Sequence, residues 1–402
     1  MFTHVPARLH ARRRLAGVMA VAAAAAVAAA GCGSSSDSSG SGGASASTSG
    51  GAGSTPQISD TQLQVGKLTV DISKFCGSKP MKIGLIDGFG GNAWRAQVRK
   101  MVENEARTCP NTKEFLYFDS NLDPQKFINT INAWTAQGVN LIIAYDDYGQ
   151  LPVPAFRKAQ QAGVTVVTHN GVPGNATIPA DVSAAVYPDW SQAGGDIADF
   201  MCANVNGGSG KGNLIHFAGP AGNLYDGSLY PAIKKALAAK CPGVKYLQKD
   251  PLVTNWDFGK TQQQAAAALN RYPKIDGITT SYTGALPSVY RAFQAAGRKM
   301  PPIGGNAVSN ELVCTLHKQK AADRWTVLSE DGTGNMAPIA LALGMQAVQT
   351  GEKQSGATTV KLAPYVNTSK GVLPKCFPDI PPAADLSNAL TPEDTKALLK
   401  GQ

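Results

Sequence analysis

The residues best suited to chemistry cluster in positions 81–95, which read MKIGLIDGFGGNAWR. Apolar, β-favouring residues run into a glycine-rich turn, and the turn leads into a helix-like pattern. This order of strand, tight turn and helix start is typical of the first unit of a βαβ fold. Trp94 supplies an aromatic plate and Arg95 a planar set of donors, a combination that suits a small hydroxylated molecule.

Further candidate side chains follow the other predicted strands, because ligands of such sheets lie beyond the carboxyl ends of the strands. Carboxylates and amides at these positions can pair with hydroxyl groups, and aromatic rings can stack on a sugar. Several candidates have plain structural alternatives. Asn92 could serve only as a helix cap and Asp226 only as a turn former. Trp94 could lie in the core with Arg95 in solvent, and Trp256 could be a helix staple. The candidate ligand-binding residues are Phe89, Asn92, Trp94, Arg95, Asp146, Asp147, Asn170, Asp226, Trp256, Tyr282, Asn306, Glu330 and Asp331.

Two consecutive runs of alternating strand and helix patterns supply these strand ends. The second run ends in one helix too many, which predicts that the chain crosses back to the first lobe near Gly332. The predicted fold class is α/β, with two doubly wound parallel-sheet lobes joined by a three-crossover hinge. The hinge candidates are residues 187–190, 332–334 and 361–364.

The same patterns divide the chain into segments. Residues 1–31 are predicted to be a lipoprotein signal peptide, 32–57 a Ser/Gly-rich tether and 58–80 a lead-in. The N-terminal lobe is predicted to comprise 81–188 plus 333–360, and the C-terminal lobe 189–332 plus 361–380. Residues 381–402 form a tail.

The first thirty residues have the pattern of an export signal. A basic region from Arg8 to Arg14 precedes an apolar run that ends in Ala29-Ala30-Gly31-Cys32, which resembles a lipoprotein processing site. A plain secretory signal with an incidental cysteine is the alternative, and a twin-arginine export route stays open. The Ser/Gly-rich stretch that follows favours acylation of Cys32, because a flexible tether is useful to an anchored protein. The expected location is the outer face of the bacterial cytoplasmic membrane.

The basic charge does not indicate a nucleic-acid partner. Four arginines of the predicted signal account for part of the formal charge of +9, leaving 9 − 4 = +5 for the rest of the chain. No later run of Lys and Arg is interleaved with aromatic residues. Nucleic-acid binding is therefore not expected.

Six cysteines remain after Cys32, and an even number in an exported chain predicts disulfides, although six allow fifteen connectivities. The predicted topology places Cys76 and Cys109 together at the edge of a sheet opposite the carboxyl ends of its strands. It places Cys202 and Cys241 together at the corresponding edge of the other sheet. Elimination then pairs Cys314 with Cys376. A zinc site is the rival interpretation, but the sequence has no CxxC or HxxxH pair, so no metal is expected.

Five short motifs occur in a recognisable order over residues 81–378. They are Asn-x-Trp-Arg at 92–95, the strand-end Asp147, Phe217-Ala218-Gly219, Gln294-Ala-Ala-Gly297, and Asn306 after Ile303-Gly-Gly. Their order and spacing resemble the type I periplasmic binding proteins of the ribose and galactose class, the sugar receptors of ABC importers. The resemblance implies two lobes hinged over a sugar, an ABC permease as partner, a monomer, no enzymatic activity and no cofactor.

Two positions depart from that family's pattern. The fourth strand of these sugar binders often ends in Asp-Arg, whereas this chain has Asn170-Gly171. The family usually has an arginine near the position of Asp226. Both departures replace strong donors with acceptors or neutral amides. The expected ligand is therefore a monosaccharide or a polyol, with deoxy and amino sugars included.

Two alternatives to a sugar receptor of a transporter remain open. The Gly88-x-Gly90-x-x-Ala93 turn, with Asp119 at the end of the next strand, fits the fingerprint of a membrane-anchored NAD(P)-dependent oxidoreductase. A receptor of the same fold could also present its ligand to a sensor instead of a permease. We interpret Gly88 and Gly90 as residues that permit a tight turn and not as a dinucleotide site, because an exported protein meets little NAD.

Overall fold

A computed structural model describes residues 70–400 of the chain. The predicted signal peptide, the tether with Cys32 and most of the predicted lead-in lie outside these residues. Among residues 70–400, no helix is both long and apolar enough to cross a bilayer.

The first lobe is built on a six-stranded, fully parallel sheet in the order β12-β5-β4-β3-β1-β2. Its strands are β1 (Met81–Asp87), β2 (Thr112–Asp119), β3 (Leu141–Tyr145), β4 (Thr165–His169), β5 (Ala184–Pro188) and β12 (Thr358–Val360). Its helices are α1 (Ala93–Arg107), α2 (Pro124–Ala136), α3 (Val153–Gln161) and α9 (Met336–Thr350). Helices α1 and α9 cover one face of the sheet, and α2 and α3 cover the other.

The second lobe is built on a seven-stranded sheet in the order β13-β11-β10-β9-β6-β7, with β8 paired to β6. Its strands are β6 (Lys211–Ala218), β7 (Gly243–Tyr246), β8 (Leu252–Val253), β9 (Gly277–Thr280), β10 (Ile303–Asn306), β11 (Val327–Asp331) and β13 (Ala363–Asn367). Its helices are α4 (Trp190–Asn204), α5 (Leu224–Lys240), α6 (Phe258–Arg271), α7 (Leu286–Ala295) and α8 (Asn310–Lys318). The prediction of two doubly wound α/β lobes is confirmed.

The chain passes between the lobes three times: between β5 and α4, between β11 and α9, and between β12 and β13. The third passage consists only of Lys361 and Leu362, which is too short to return the chain to the far edge of a sheet. Strand β13 therefore enters the second sheet at the edge nearest the first lobe and runs antiparallel to β11. The exact residues at which each predicted lobe segment begins and ends stay a prediction.

Local sequence explains where the helices nearest the strand ends begin. The side chain of Asn92 accepts a hydrogen bond from the backbone N–H of Arg95 at 2.9 Å and thereby caps α1. Asp123 caps α2 in the same way, with Pro124 in the first turn. Asn223 caps α5 and accepts from the N–H of Asp226 at 2.8 Å. The helical pattern in the sequence predicts a start at about Gly227, but the cap places the start of α5 three residues earlier, at Leu224.

Three disulfides join Cys76 to Cys109, Cys202 to Cys241 and Cys314 to Cys376. These are the pairs expected from the sequence. The first two pairs lie at helix ends opposite the carboxyl edges of the sheets, whereas the third joins α8 to the chain that follows β13.

The segment expected only as a tail is packed onto the rest of the molecule. Its residues 392–398 form helix α10 (Pro392–Leu398), which contacts α1. Ile380, Ala384 and Leu399 are buried against Ala93 of α1. The C-terminal residues thus belong to the folded body.

Candidate functional site

A cavity lies where the carboxyl edges of the two sheets face each other. It contains about 380 Å³ of space not occupied by protein atoms, part of it open to solvent. The first lobe contributes one wall, the second lobe the opposite wall, and a hinge passage the remaining side. The lining residues are Asn92, Trp94, Arg95 and Tyr145 from the first lobe, Tyr225, Trp256, Ser281, Tyr282 and Ala307 from the second, and Thr333 from the passage.

Arg95 is buried at the base of the cavity and is held by two carboxylates. One of its terminal nitrogens donates to Asp87 Oδ1 at 2.7 Å, and the other donates to both oxygens of Asp147 at 3.0 Å. The guanidinium carbon lies 3.4 Å from the ring centroid of Tyr145. From the sequence, Arg95 is expected to bind hydroxyl groups of a ligand. In the structure, most of its N–H donors bond to Asp87 and Asp147 instead.

Arg95 and its two carboxyl partners shift one another's pKa values. Burial lowers the pKa of Arg95, but the charges of Asp147 and Asp87 more than offset this effect, so the pKa lies above its ordinary value. Burial raises the pKa of Asp147 to about 7, against the opposing charge of Arg95. The cavity thus presents the edge of a cluster of one cation and two carboxyl groups, which suits an uncharged ligand better than an anion.

Trp94 and Tyr225 bring unused polar atoms to the cavity. Trp94 stands edge-on to Tyr145, with ring centroids 5.9 Å apart, and its indole N–H is buried without a hydrogen-bond partner among the described residues. The hydroxyl of Tyr225, on the opposite lobe, is likewise buried without a hydrogen-bond partner among the described residues. Buried polar groups of this kind are normally paired, so both are free to bond to a guest in the cavity.

Trp256 is held in a strained conformation that places its ring on the opposite wall. Its φ of +54° is rare for a bulky residue. The indole N–H donates to Ser281 Oγ at 2.9 Å, and the absence of a side chain at Gly219 leaves room for the ring. Strain of this kind persists only when the surroundings fix it, and it is concentrated at functional sites.

A family model described as periplasmic binding protein domain matches residues 83–353, more than half of the chain. The chain belongs to the periplasmic binding protein family. The resemblance seen in the sequence is therefore confirmed, as is the prediction of a binding protein instead of an enzyme. Proteins of this family act outside the cytoplasm.

Solved structures of periplasmic binding proteins share the fold. An ABC transporter solute-binding protein from Agrobacterium vitis with bound allitol matches with a TM-score of 0.62 and 19% identity over 73% of this chain and 97% of that chain. One from Bacillus halodurans C-125 with bound myo-inositol gives 0.61 and 14% over 73% and 96%. One from Mycobacterium smegmatis with bound glycerol gives 0.62 and 16% over 74% and 99%. A search of the curated proteins found no match.

Five of the candidate residues of this periplasmic binding protein line the cavity: Asn92, Trp94, Arg95, Trp256 and Tyr282. The others lie around it with different partners. Asp147 holds Arg95, whereas Phe89 packs over Gly91 in the turn before α1.

The polar candidates at the ends of β3 and β4 are buried behind the cavity wall. Asp146 accepts from the N–H of Tyr148 at 2.7 Å, and burial raises its pKa well above the ordinary value. The amide nitrogen of Asn170 lies 3.1 Å from His169 Nδ1. Burial lowers the pKa of His169 to about 3, so the ring is neutral at ordinary pH.

The polar candidates of the second lobe also serve internal contacts. Asp226 lies in the first turn of α5, not in a loop, and accepts from the N–H of Gly219 at 2.8 Å. Asn306 donates to the backbone carbonyl of Glu330 at 3.4 Å. The carboxylate of Glu330 accepts from Gln192 at 3.3 Å, and Asp331 accepts from the N–H of Val308 at 2.9 Å.

Five lining residues were not among the sequence candidates: Tyr145, Tyr225, Ser281, Ala307 and Thr333. Tyr145 is the last residue of β3, one position before the candidate residue Asp146. Tyr225 could have been found by treating Asn223 as the helix cap, which puts it in the first turn of α5.

The turn with the dinucleotide-like glycines is filled by the protein itself. The N–H of Gly90 donates to Asp119 Oδ1 at 2.8 Å, and a β-carbon on Gly90 would lie 2.7 Å from that carboxylate. A pyrophosphate at this turn would meet the negative charge of Asp119 and lose the Gly90 donor. The oxidoreductase alternative is therefore not favoured. Among residues 70–400, no group of three or more His, Cys, Asp or Glu side chains could hold a metal ion.

Proposed function

We propose that the protein is the solute-binding receptor of an ABC importer. It captures a small polyhydroxylated ligand, a monosaccharide or a polyol, between its two lobes and delivers it to a membrane permease. The observation that carries this proposal is the cavity between the lobes, with aromatic rings from both walls and two unused buried donors.

The chemistry of the cavity supports an uncharged, hydroxylated guest. Trp94, Trp256 and Tyr282 offer ring faces for the C–H side of a sugar or polyol. The Trp94 N–H and the Tyr225 hydroxyl can bond to its hydroxyl groups, and Asn92 and Ser281 add further polar atoms. The proteins of the same fold from Agrobacterium vitis, Bacillus halodurans and Mycobacterium smegmatis carry allitol, myo-inositol and glycerol, which are all polyols.

The lobes already contact each other across the cleft, which supports capture by closure. A β-carbon on Gly171 of the first lobe would lie 2.8 Å from Leu224 of the second. The Arg95 guanidinium lies 5.7 Å from the Trp256 ring centroid. A permease that recognises this closed arrangement would distinguish loaded from empty receptor, since a ligand between the lobes favours closure. We expect the receptor to act as a monomer, because one chain supplies both walls.

The N-terminal sequence supports a lipid anchor. A basic region, an apolar run and Ala29-Ala30-Gly31-Cys32 precede a Ser/Gly-rich tether. Acylation of Cys32 would hold the binding domain at the outer face of the cytoplasmic membrane, close to the permease. Three disulfides in the described part suit such an oxidising location.

A thermal-shift panel of sugars, polyols and cyclitols tests the proposal, with mass spectrometry to identify any ligand that co-purifies. We expect at least one compound to bind at about micromolar concentration and to raise the melting temperature. Trp94→Ala should abolish the shift, whereas Trp134→Phe, in a core away from the cavity, should retain it. If no compound of the three classes binds, the solute assignment is wrong.

A further inference from the structure

The C-terminal segment from Cys376 to Leu399, here called the clasp, is fastened to the second lobe. The Cys314–Cys376 disulfide attaches its start to α8. The side chain of Asn310 donates to the carbonyls of Phe377 and Ile380 at 2.8 and 2.9 Å and accepts from the N–H of Phe377 at 3.1 Å. Ser309 forms an isolated antiparallel bridge with Asp385.

The clasp also holds helix α1 of the first lobe. The buried amide of Gln97 accepts from the N–H of Asp385 at 2.9 Å and donates to its carbonyl at 3.0 Å. The N–H of Ala389 lies 3.3 Å from the sulfur of Met101, two turns of α1 further on from Ala93. Ala93 itself packs on the clasp, next to Trp94 and Arg95 of the cavity.

The clasp therefore bridges the two lobes beside the second hinge passage, where a β-carbon on Gly334 would lie 3.7 Å from Asn388. Opening the cleft moves α1 away from α8 and β11, and the clasp cannot follow both sides. Either the Gln97 contacts or the contacts to the second lobe must break. Because α1 and its cap Asn92 carry three of the lining residues, breaking the Gln97 contacts would release one wall of the cavity.

The fastening on the second lobe contains two buried carboxyl groups joined by one hydroxyl. Ser387 Oγ lies 2.7 Å from Asp331 Oδ1 and 2.9 Å from Asp385 Oδ1. A serine hydroxyl has one proton to donate, so it can satisfy only one of these two oxygens. The other short contact becomes a hydrogen bond when one carboxyl group carries a proton, although Asp385 Oδ1 also accepts from the N–H of Ser387 at 2.8 Å. Neither carboxylate has a Lys or Arg within 4 Å in the part of the chain described.

We propose that the clasp stabilises the closed state of the receptor, and that the proton shared by Asp331, Ser387 and Asp385 fastens it, so that closure becomes stronger as the pH falls. This rests on the proposed function for its effect on ligand affinity. The closure of the lobes itself does not depend on which solute is bound.

The electrostatic surroundings agree with this geometry. Burial and the neighbouring Asp385 raise the pKa of Asp331 well above its ordinary value, and burial raises the pKa of Asp385 to about 6. The other ionisable groups near the pair carry no positive charge. They are Tyr282 after β9, Tyr365 on β13, Tyr225 on α5 and Glu330 on β11.

The direction of the pH effect follows from where the protons are bound. A released clasp exposes Asp385 to water, where an aspartate has a pKa of about 4. The fastened state therefore holds more protons than the released state between about pH 4 and about pH 6. Lowering the pH through this window favours fastening, and raising it through the window places a charge on Asp385 beside the buried Asp331.

Small-angle X-ray scattering of the purified, ligand-free protein tests the proposal at about pH 5 and about pH 8. We expect the wild type to have a larger radius of gyration at the higher pH. Asp385→Asn removes the titrating group from the clasp, keeps an oxygen for the N–H of Ser387 and should stay compact at both values. Gln97→Ala should be more open at both, whereas Asn104→Ala, an amide-to-methyl change on the same helix, should behave as the wild type.

Each contrary result overturns a defined part of the proposal. If Gln97→Ala scatters like the wild type, the clasp does not hold the lobes together. If Asp385→Asn keeps the wild-type response to pH, the shared proton is not the fastening. For a solute found in the thermal-shift panel, Gln97→Ala should raise the dissociation constant about tenfold. A panel without any binder would refute the proposed function and leave the scattering result on the clasp intact.

Discussion

A β-carbon on Gly219 would lie 2.2 Å from the indole ring of Trp256, so the ring occupies the cleft only because residue 219 is glycine. Gly219 is also fixed from the other side, since its N–H donates to Asp226 at 2.8 Å. The end of β6 and the start of α6 therefore determine each other's positions. This pair explains how a residue with a φ of +54° is kept in place.

Gly219→Ala should weaken ligand binding more than it weakens the fold. The new methyl group must displace the Trp256 ring, because a contact of 2.2 Å is not tolerated, and the wall of the cavity moves with it. We expect the dissociation constant to rise about tenfold or more. Gly227→Ala is a matched control, since a β-carbon there meets nothing within 4 Å and the residue lies inside α5. An unchanged affinity in Gly219→Ala would show that Trp256 does not contact the ligand.

Arg95→Met should destabilise the first lobe strongly. The substitution removes the cation that compensates Asp87 and Asp147, both of them buried. Breaking a buried ion pair from one side costs about 3–5 kcal/mol. Urea unfolding at neutral pH measures this loss. The double variant Arg95→Met/Asp147→Asn should recover part of the stability, and simple additivity of the two changes would contradict the role of Arg95 as a compensating charge.

Asp146→Asn should stabilise the protein at high pH and have little effect at low pH. Burial raises the pKa of Asp146 in the folded state, so folding becomes less favourable as the pH rises above the pKa of the unfolded chain. Asparagine removes this cost and keeps an oxygen for the N–H of Tyr148. Melting temperatures at about pH 8 and about pH 4 give the comparison. The exposed Asp250→Asn should show no such difference, and neither change should affect ligand affinity.

Replacement of Cys202 and Cys241 by serine should lower stability without affecting binding. The pair closes a loop with a sequence separation of 39 residues, and loss of such a crosslink costs about 2–5 kcal/mol. Both cysteines lie at the C-terminal ends of α4 and α5, opposite the cleft. Denaturant unfolding and a binding titration measure the two quantities. A loss of affinity at temperatures where the variant is folded would show that the lobe transmits changes from that edge to the cavity.

Most of the elements near the site could be predicted from local sequence. The apolar run of β1, the glycine-rich turn and the cap Asn92 mark the first unit because each acts within a few residues. The start of α5 was missed since Asp226 resembles a turn residue, whereas Asn223 is the cap. As a consequence, Tyr225 was absent from the candidates.

Local sequence predicts which residues stand at the strand ends, because strands and helix caps depend on neighbours along the chain. It did not determine which of those side chains face the cavity. Asp147 and Asp87 turn inward to Arg95, and Asp226 turns to Gly219, since a buried charge must find partners from other strands and helices. Only the tertiary structure brings such partners together. The tertiary structure likewise brings the segment expected as a tail into contact with both lobes, through Asn310 of the second and Gln97 of the first.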